Sequence, residues 1–270
     1  SPSTSPSTPS TTATTTSATT TSTTTTSITP SSITSSSITS SSCTLHVVKL
    51  GSLAEVRAFA AEYRQSGLPL HVLIHNAGCM QPRALSQDGI EANLQVNLIA
   101  PFLLTELLVP VLERTDDARV IMVSSGGMLT ERLLVNDLQW EQAGFDATRQ
   151  YARNKRQQIA LTERWSELHD GILFVSMHPG WVDTAAVRDS MPDFHRRMQH
   201  RLRDADQGAD TVVWLSAVPR QHLQPAGFYL DRAPAAKHLF MAGTTHSPPL
   251  VDRLWSECVR LSGGGEEEIE

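Results

Sequence analysis

From residue 45 to residue 230, short runs of consecutive apolar residues alternate with longer stretches in which apolar positions recur every three or four residues. Short apolar runs are typical of buried strands, and the periodic stretches are typical of amphipathic helices. The alternation predicts an α/β fold in which helices cover both faces of a parallel sheet. The predicted strands are 45–48, 70–74, 119–123, 172–177 and 227–230, and the predicted helices are 53–64, 88–113, 149–168 and 205–217.

The first predicted helix has signals at both of its ends. Ser52 is followed three residues later by Glu55, which is the pattern of a capping box at a helix N-terminus. Gly67 follows the last periodic position and predicts the end of the helix near residue 64. We therefore expect the Ser52 hydroxyl and the Glu55 carboxylate to satisfy each other's backbone N–H groups.

The first 42 residues differ from the rest of the chain. Of these residues 33 are Ser or Thr, the others are Pro, Ala and Ile, and none is charged. Such a segment cannot bury enough apolar surface to offset its chain entropy. The sequence therefore predicts a disordered tract at 1–42, a folded domain at 43–262 and a solvated acidic tail at 263–270. A mucin-like, O-glycosylated stalk is the alternative interpretation of the tract.

Charge and cysteine content exclude several classes of protein. The chain carries 22 Lys and Arg against 28 Asp and Glu, a formal net charge of −6, which argues against a nucleic-acid-binding protein. The three cysteines are too few for a disulfide framework and too scattered for a zinc site, so we expect no metal and an intracellular, cytoplasmic location. The longest apolar stretch, 98–112, is shorter than the roughly 20 residues of a membrane span, which predicts no transmembrane segment.

Polar residues and glycines follow three of the predicted strands directly. Parallel strands present their carboxyl ends at one edge of a sheet, and ligands of open α/β sheets bind beyond that edge. We therefore expect these residues to surround one crevice. They are Asn76, Ala77 and Gly78 after the second strand, Ser125 after the third, and Pro179 and Gly180 after the fourth.

Tyr151 and Lys155 lie four residues apart on a predicted helix, so they share a face with their Cβ atoms about 5–6 Å apart. A free phenol has a pKa of about 10, and lowering it by ~3 units requires about 4 kcal/mol of preferential stabilisation of the phenolate. A neighbouring ammonium supplies part of that stabilisation. A serine hydroxyl at a strand end then completes a site that holds a carbonyl or alcohol oxygen. The alternative is a solvated helix face, which is how most Tyr-x-x-x-Lys pairs are used.

The order of these motifs along the chain resembles the short-chain dehydrogenase/reductase family. Asn-Ala-Gly, Asn97 in a helix, Ser-Ser, Tyr-x-x-x-Lys and the segment 179–184 follow one another in the family's order. The resemblance implies a Rossmann-like, doubly wound parallel sheet. It also implies an oxidoreductase that transfers hydride between NAD(P)(H) and an apolar carbonyl or alcohol, a small-molecule substrate.

The resemblance assigns roles residue by residue. It implies that Tyr151 is the general acid/base and that Lys155 lowers the pKa of Tyr151 and holds the nicotinamide ribose. It implies that Ser125 polarises the substrate oxygen and that Asn97 holds a water linking Lys155 to solvent. A homodimer formed through the helix 149–168 is a further implication. The cofactor-binding residues implied are Asn76, Ala77, Gly78, Tyr151, Lys155, Pro179, Gly180, Val182 and Thr184.

The sequence departs from the family pattern at its beginning. Family members open with a strand and a glycine-rich turn that holds the cofactor pyrophosphate, and here no glycine precedes Gly51. Lys49 stands where the family commonly has Asp, and His75 stands where it has Asn. We interpret His75 as a tolerated substitution with a hydrogen-bonded imidazole, not as a ligand or a pH switch.

The missing turn has consequences for the sheet. The first two strands of the family's sheet are absent, so the fold is predicted to be incomplete, with 45–48 displaced and 70–74 an uncovered edge. The choice between NAD and NADP is not determined, because the missing part normally sets it. The sequence also leaves open whether the chain is an active oxidoreductase or a truncated, non-catalytic remnant that acts through protein contacts.

Overall fold

The computed structural model describes residues 44–263. The Ser/Thr-rich tract and all of the acidic tail except Gly263 lie outside the described residues, so the boundaries predicted for them stay predictions. The helices are α1 (Leu53–Gln65), α2 (Ala92–Leu112), α3 (Ala147–Leu168), α4 (Ala185–Ser190), α5 (Pro192–Met198), α6 (Ala205–Ala217) and α7 (Pro248–Leu261), and the strands are β1 (Val72–His75), β2 (Arg119–Val123), β3 (Leu173–Met177), β4 (Phe228–Leu230) and β5 (Ala233–Pro234).

The five strands form one sheet in the order β1-β2-β3-β4-β5. The first four strands are parallel, and β5 returns antiparallel to β4 through a two-residue turn. Every residue of β2 and of β3 is buried, because helices cover both faces of the sheet at its centre. The α/β, Rossmann-like fold predicted from the sequence is confirmed.

Alternate residues of β2 point into two different cores. Val120 and Met122 pack among α1, α2 and α7, whereas Ile121 and Val123 pack with Leu215 of α6. This period of two is what a strand buried on both faces requires. The two cores fix the strand, and its carboxyl end is therefore a firm support for the residues that follow it.

The segment 45–48 forms no strand, so the strand predicted there is wrong, whereas its predicted displacement from the sheet agrees with the structure. The chain there runs outside the sheet, with Val48 buried and Leu45 and Val47 exposed. A strand needs a neighbour to accept its backbone hydrogen bonds, and no described strand lies beside this segment. Among the described strands, β1 pairs only with β2, so it is an edge of the sheet, as the missing first strands predicted.

Helix α2 begins at Ala92 and not at residue 88, because the Glu91 carboxylate caps the backbone N–H groups of Asn93 and Leu94. The helix widens into a π-helical turn at Gln95–Ile99. In the described part of the chain it is the one helix long and apolar enough to cross a membrane, but 78% of its apolar window is buried inside the protein. This burial is typical of a core helix.

The N-terminus of α1 lacks the reciprocal half of the predicted capping box. Ser52 Oγ accepts from the Glu55 N–H at 3.3 Å, as expected. The Glu55 carboxylate instead accepts from the Lys49 N–H at 2.9 Å. Helices α4, α5 and α7 were not predicted from the sequence, although Val251, Leu254 and Cys258 are buried at helical spacing along α7.

We predict that Trp165→Leu lowers the free energy of unfolding by about 2–4 kcal/mol, since it leaves a cavity in the core and removes a hydrogen bond to Glu106. Trp165 is 1% exposed, stacks on Phe102 and donates to Glu106 at 2.6 Å. The matched variant Trp181→Leu, at a site 49% exposed, should change the value by less than about 0.5 kcal/mol. Urea unfolding measures both, and equal losses would contradict this description of the core.

Candidate active site

Ser125, Tyr151 and Lys155 come together at the carboxyl end of β2. The Ser125 hydroxyl faces the Tyr151 phenol, and its interaction with the phenol lowers the pKa of Tyr151. The Lys155 ammonium lies 5.3 Å from the centre of the Tyr151 ring, one helical turn along α3. The helix face predicted from the four-residue spacing therefore points into the protein, with Lys155 buried and Tyr151 partly buried.

The two serines after β2 have different tasks. Ser124 is buried and donates its hydroxyl to the backbone carbonyl of Lys155 at 2.9 Å, which ties α3 to the end of the strand. Ser125 accepts from the Gly127 N–H at 3.2 Å as the cap of the short 3₁₀ turn Gly126–Thr130. The Ser125 hydroxyl is thus fixed beside Tyr151, and Ser124 is a packing residue.

Burial controls the ionisation of the pair on α3. Desolvation raises the pKa of Tyr151, and the interaction with Ser125 offsets only part of that rise. Desolvation lowers the pKa of Lys155 to about 8. The lowered tyrosine pKa expected from sequence is therefore absent from the structure as it stands. The Lys155 ammonium donates to the Val123 carbonyl at 2.8 Å, and the phenol is in its protonated form at neutral pH.

Asn97 lies in the π-helical turn of α2 and fixes the loop that follows β1. Its side chain accepts from the Cys79 N–H at 2.8 Å and donates to the Cys79 carbonyl at 2.9 Å. Its backbone carbonyl accepts from the Gln158 amide at 2.6 Å. The role expected for Asn97 in holding a water stays a prediction, and the contacts observed are those of a residue that positions a loop.

Gly78 lies close to the side chains of both Asn97 and Lys155. A Cβ atom at position 78 would be 3.2 Å from Asn97 Oδ1 and 3.7 Å from Lys155 Nζ. Glycine therefore leaves the space in front of the ammonium open. The adjacent Cys79 is a thiol at neutral pH, because burial raises its pKa to about 12.

A crevice of about 460 Å³ opens between the carboxyl ends of β1, β2 and β3 and helix α6. Four of the predicted cofactor-binding residues line it, and the other five do not. The floor is apolar, with Ile74, Val123 and Met177 at the strand ends. The lining residues predicted from the sequence are Asn76, Pro179, Val182 and Thr184, and those that lie outside the lining are Ala77, Gly78, Tyr151, Lys155 and Gly180.

His75 and Lys49, which stand where the family commonly has other residues, each contact a neighbouring polar side chain. The buried His75 ring hydrogen-bonds to the Thr105 hydroxyl at 2.8 Å, as the interpretation of a tolerated substitution expected. Burial, together with the charge of Lys155, lowers the pKa of His75 to about 4, so the ring is neutral at physiological pH. Lys49 is exposed, with Nζ 3.5 Å from the Glu55 carboxylate.

Arg203 and Asp231 form an ion pair beside the Pro179–Gly180 turn, and neither residue was predicted from the sequence. No sequence motif indicates this ion pair, because 28 residues separate Arg203 from Asp231. The sequence signal available for this turn was the glycine at position 180. In the structure its backbone is left-handed (φ +77°), a conformation that favours glycine.

The chain is similar to known dehydrogenases. The family model described as short chain dehydrogenase matches residues 20–135. Dehydrogenase/reductase SDR family member 12 of Bos taurus is 50% identical over 212 residues, which are 78% of this chain and 67% of that protein. Polyprenol dehydrogenase of Mus musculus is 33% identical over 234 residues, with 80% and 67% of the two chains covered. The crystal structure of an uncharacterized protein from Mycobacterium paratuberculosis superposes with a TM-score of 0.61 at 26% identity and covers 80% of this chain and 74% of that one.

We predict that the free energy of unfolding of Lys155→Met falls increasingly behind that of the unchanged protein as the pH rises above about 8. Below about pH 8 the amine is protonated in both folded and unfolded chains, so it adds no pH dependence. Between about 8 and the unfolded value of 10.5 only the unfolded chain binds the proton, and the free energy of unfolding of the unchanged protein therefore rises with pH. Each pH unit in this range adds about 1.4 kcal/mol to the difference in free energy of unfolding between the unchanged protein and the variant. The difference should therefore grow by about 3 kcal/mol in total.

Urea unfolding of both proteins from pH 7 to pH 10.5 measures this difference. Lys49→Met is the matched control, because the Lys49 side chain is 75% exposed. Its curve should run parallel to that of the unchanged protein. Parallel curves for Lys155→Met as well would contradict a desolvated ammonium at this position.

Proposed function

The chain belongs to the short-chain dehydrogenase/reductase family of oxidoreductases, and from this premise we propose that it transfers hydride between a nicotinamide nucleotide and a carbonyl or alcohol. The observation that carries the proposal is the placement of the Ser125 hydroxyl and the Tyr151 phenol together beside the buried ammonium of Lys155, which lies 5.3 Å from the centre of the Tyr151 ring. Two hydroxyls and one cation in this arrangement suit proton exchange with the oxygen atom of a substrate.

The residues present fit the nicotinamide ribose end of such a cofactor. Among the described residues the Lys155 ammonium has one hydrogen-bond acceptor, the Val123 carbonyl, so two of its three protons remain for ribose hydroxyls. Gly78 keeps the approach to the ammonium open. Val182 and Thr184 line the adjoining crevice and are proposed to contact the nicotinamide. When bound, the cofactor supplies or accepts the hydride.

The cofactor's pyrophosphate has no counterpart in the part of the chain that the structure describes. The only glycine of the chain before Ser52 is Gly51, so the glycine-rich turn of the family is missing from the sequence up to that point. Backbone N–H groups at such a turn hold the phosphates in related folds. The nicotinamide half is therefore the part of the cofactor that the described residues are proposed to bind, with no preference assigned between NAD and NADP.

Tyr151 is proposed to be the general acid in the direction of reduction. Its raised pKa keeps the proton on the phenol at neutral pH, ready for donation to a substrate oxygen that also accepts from Ser125. As the phenol loses its proton, the charge of Lys155 stabilises the phenolate, and low solvent exposure strengthens that attraction. Asn97 acts on this site through the loop after β1, which it holds by the Cys79 backbone.

An apolar alcohol or carbonyl is the proposed substrate class. The support comes from the similarity to polyprenol dehydrogenase, whose name indicates a long apolar alcohol. A homodimer formed through α3 stays a prediction.

We predict that Tyr151→Phe lowers kcat/KM for carbonyl reduction by about 10²–10⁴-fold, because it removes the proton donor. Ser125→Ala should lower it by a smaller factor. Tyr63→Phe is the matched control, since its hydroxyl donates to the Pro69 carbonyl on the surface and should leave the rate unchanged. The measurement is loss of NADH or NADPH absorbance with a panel of apolar ketones and aldehydes.

Cofactor binding is measured first, by the fluorescence of NADH and NADPH titrated into the protein. A lack of binding at millimolar cofactor would reject the proposed function and favour a non-catalytic member of the family. Equal activity of Tyr151→Phe and the unchanged protein would reject the role given to the phenol.

A further inference from the structure

The segment from Pro179 to Thr184 joins β3 to α4 and carries two residues of the crevice, Val182 and Thr184. Val182 packs closely on α6, where a Cβ added to Gly208 would be 2.7 Å from its side chain. Trp181 is half exposed and packs its ring on Phe194 of α5, with the ring centroids 4.3 Å apart. Polar contacts hold the remainder of the segment.

Arg203 supplies three of those contacts, while Arg188 and His195 hold the Asp183 carboxylate. Its guanidinium donates to the Pro179 carbonyl at 3.0 Å. Its backbone N–H donates to the Trp181 carbonyl, and its own carbonyl accepts from the Asp183 N–H, both at 2.8 Å. The segment 179–183 is thus held at three points by one residue that lies 20 positions further along the chain.

The contact between the 179–183 segment and Arg203 requires glycine at position 180. Its backbone is left-handed, and a Cβ atom there would lie 2.7 Å from the Arg203 guanidinium carbon. On the other side of the turn, the Gly180 N–H donates to the His178 ring at 3.2 Å. The His178 ring in turn stacks on Phe228 of β4 at 5.5 Å between centroids. The turn is therefore enclosed between a guanidinium and an imidazole.

Asp231 orients the guanidinium. Its two carboxylate oxygens accept from the two terminal nitrogens of Arg203 at 2.6 and 2.8 Å, a forked pair with fixed geometry. Asp231 opens the two-residue turn between β4 and β5, where both residues have positive φ, +52° at Asp231 and +60° at Arg232. Two-residue hairpins with positive φ favour Gly, Asn and Asp, so the hairpin presents a carboxylate where the sheet ends.

We propose that Arg203 and Asp231 are positioning residues that hold the segment 179–183 so that Val182 and Thr184 face the nicotinamide end of the cofactor. The inference rests on the proposed function. Neither residue lines the crevice, so both act through the segment that they hold. A shift of about 1 Å in a segment that positions the cofactor is enough to lower the rate about 10²-fold. An ion pair outside the crevice can therefore affect the reaction.

The test compares three variants of the full chain. Asp231→Asn removes the charge but keeps a residue that tolerates positive φ, so the hairpin should still fold. Arg203→Lys keeps the charge but loses the fork. The matched control is Arg232→Gln, which removes an exposed arginine of the same hairpin that pairs with Asp210 and makes no hydrogen bond to the segment 179–183.

Two readouts are taken. Hydrogen exchange of peptides covering 177–184 is measured without cofactor, and kcat and cofactor KM are measured with it. We expect about tenfold faster exchange in Asp231→Asn, about a tenfold rise in cofactor KM and a smaller change in kcat, corresponding to the loss of one charge-assisted contact. Arg203→Lys should lie between Asp231→Asn and the unchanged protein, and Arg232→Gln should match the unchanged protein. A purely structural role would lower the active fraction and leave cofactor KM unchanged.

Unchanged hydrogen exchange in both Asp231→Asn and Arg203→Lys overturns the proposal. Faster exchange with an unchanged cofactor KM overturns it as well. If the unchanged chain binds no cofactor, the proposed function fails and the positioning role fails with it. The exchange measurement then still decides whether the ion pair holds the segment, so the two failures are distinguishable.

Discussion

The Lys155 ammonium donates to the Val123 carbonyl at 2.8 Å, where β2 ends, and the arrangement of the candidate site follows from this contact. An ammonium taken out of water is costly, so it needs an acceptor fixed in place. β2 provides one because it is buried on both faces. The Ser124 hydroxyl adds a second tie by donating to the Lys155 carbonyl. With α3 held at this point, Tyr151, one turn earlier, comes to lie beside Ser125.

The sequence predicted those parts of the fold in which burial leaves a clear pattern. The bounds of β2 and α6 match their predictions, because β2 is a continuous apolar run and α6 has an apolar face between a cap and a turn. The segment 45–48 has the same composition as a strand, but pairing depends on a neighbour and not on composition. α7 could have been found, since Pro248 opens it and its buried residues lie three and four apart. The short helices α4 and α5 have no comparable pattern.

The candidate site was predictable as a set of residues but not as an electrostatic arrangement. Strand ends and a four-residue helical spacing are local, so Ser125, Tyr151 and Lys155 could be chosen in advance. The raised pKa of Tyr151 could not, because it depends on how deeply the phenol is buried and on whether the ammonium points at it or at a carbonyl. The loop-holding contacts of Asn97 and Arg203 involve backbone groups, which carry no residue type that a sequence pattern could reveal.

The central claim is that the carboxyl edge of β1, β2 and β3 receives the nicotinamide end of a cofactor, between Lys155 and the segment 179–184. Nuclear Overhauser effects in the protein labelled at valine and threonine methyl groups, with NADH or NADPH added at millimolar concentration, test it most directly. The account predicts contacts from the nicotinamide ring protons to the methyl groups of Val182 and Thr184. Contacts to valine and threonine methyls elsewhere, with none to these two, would contradict it.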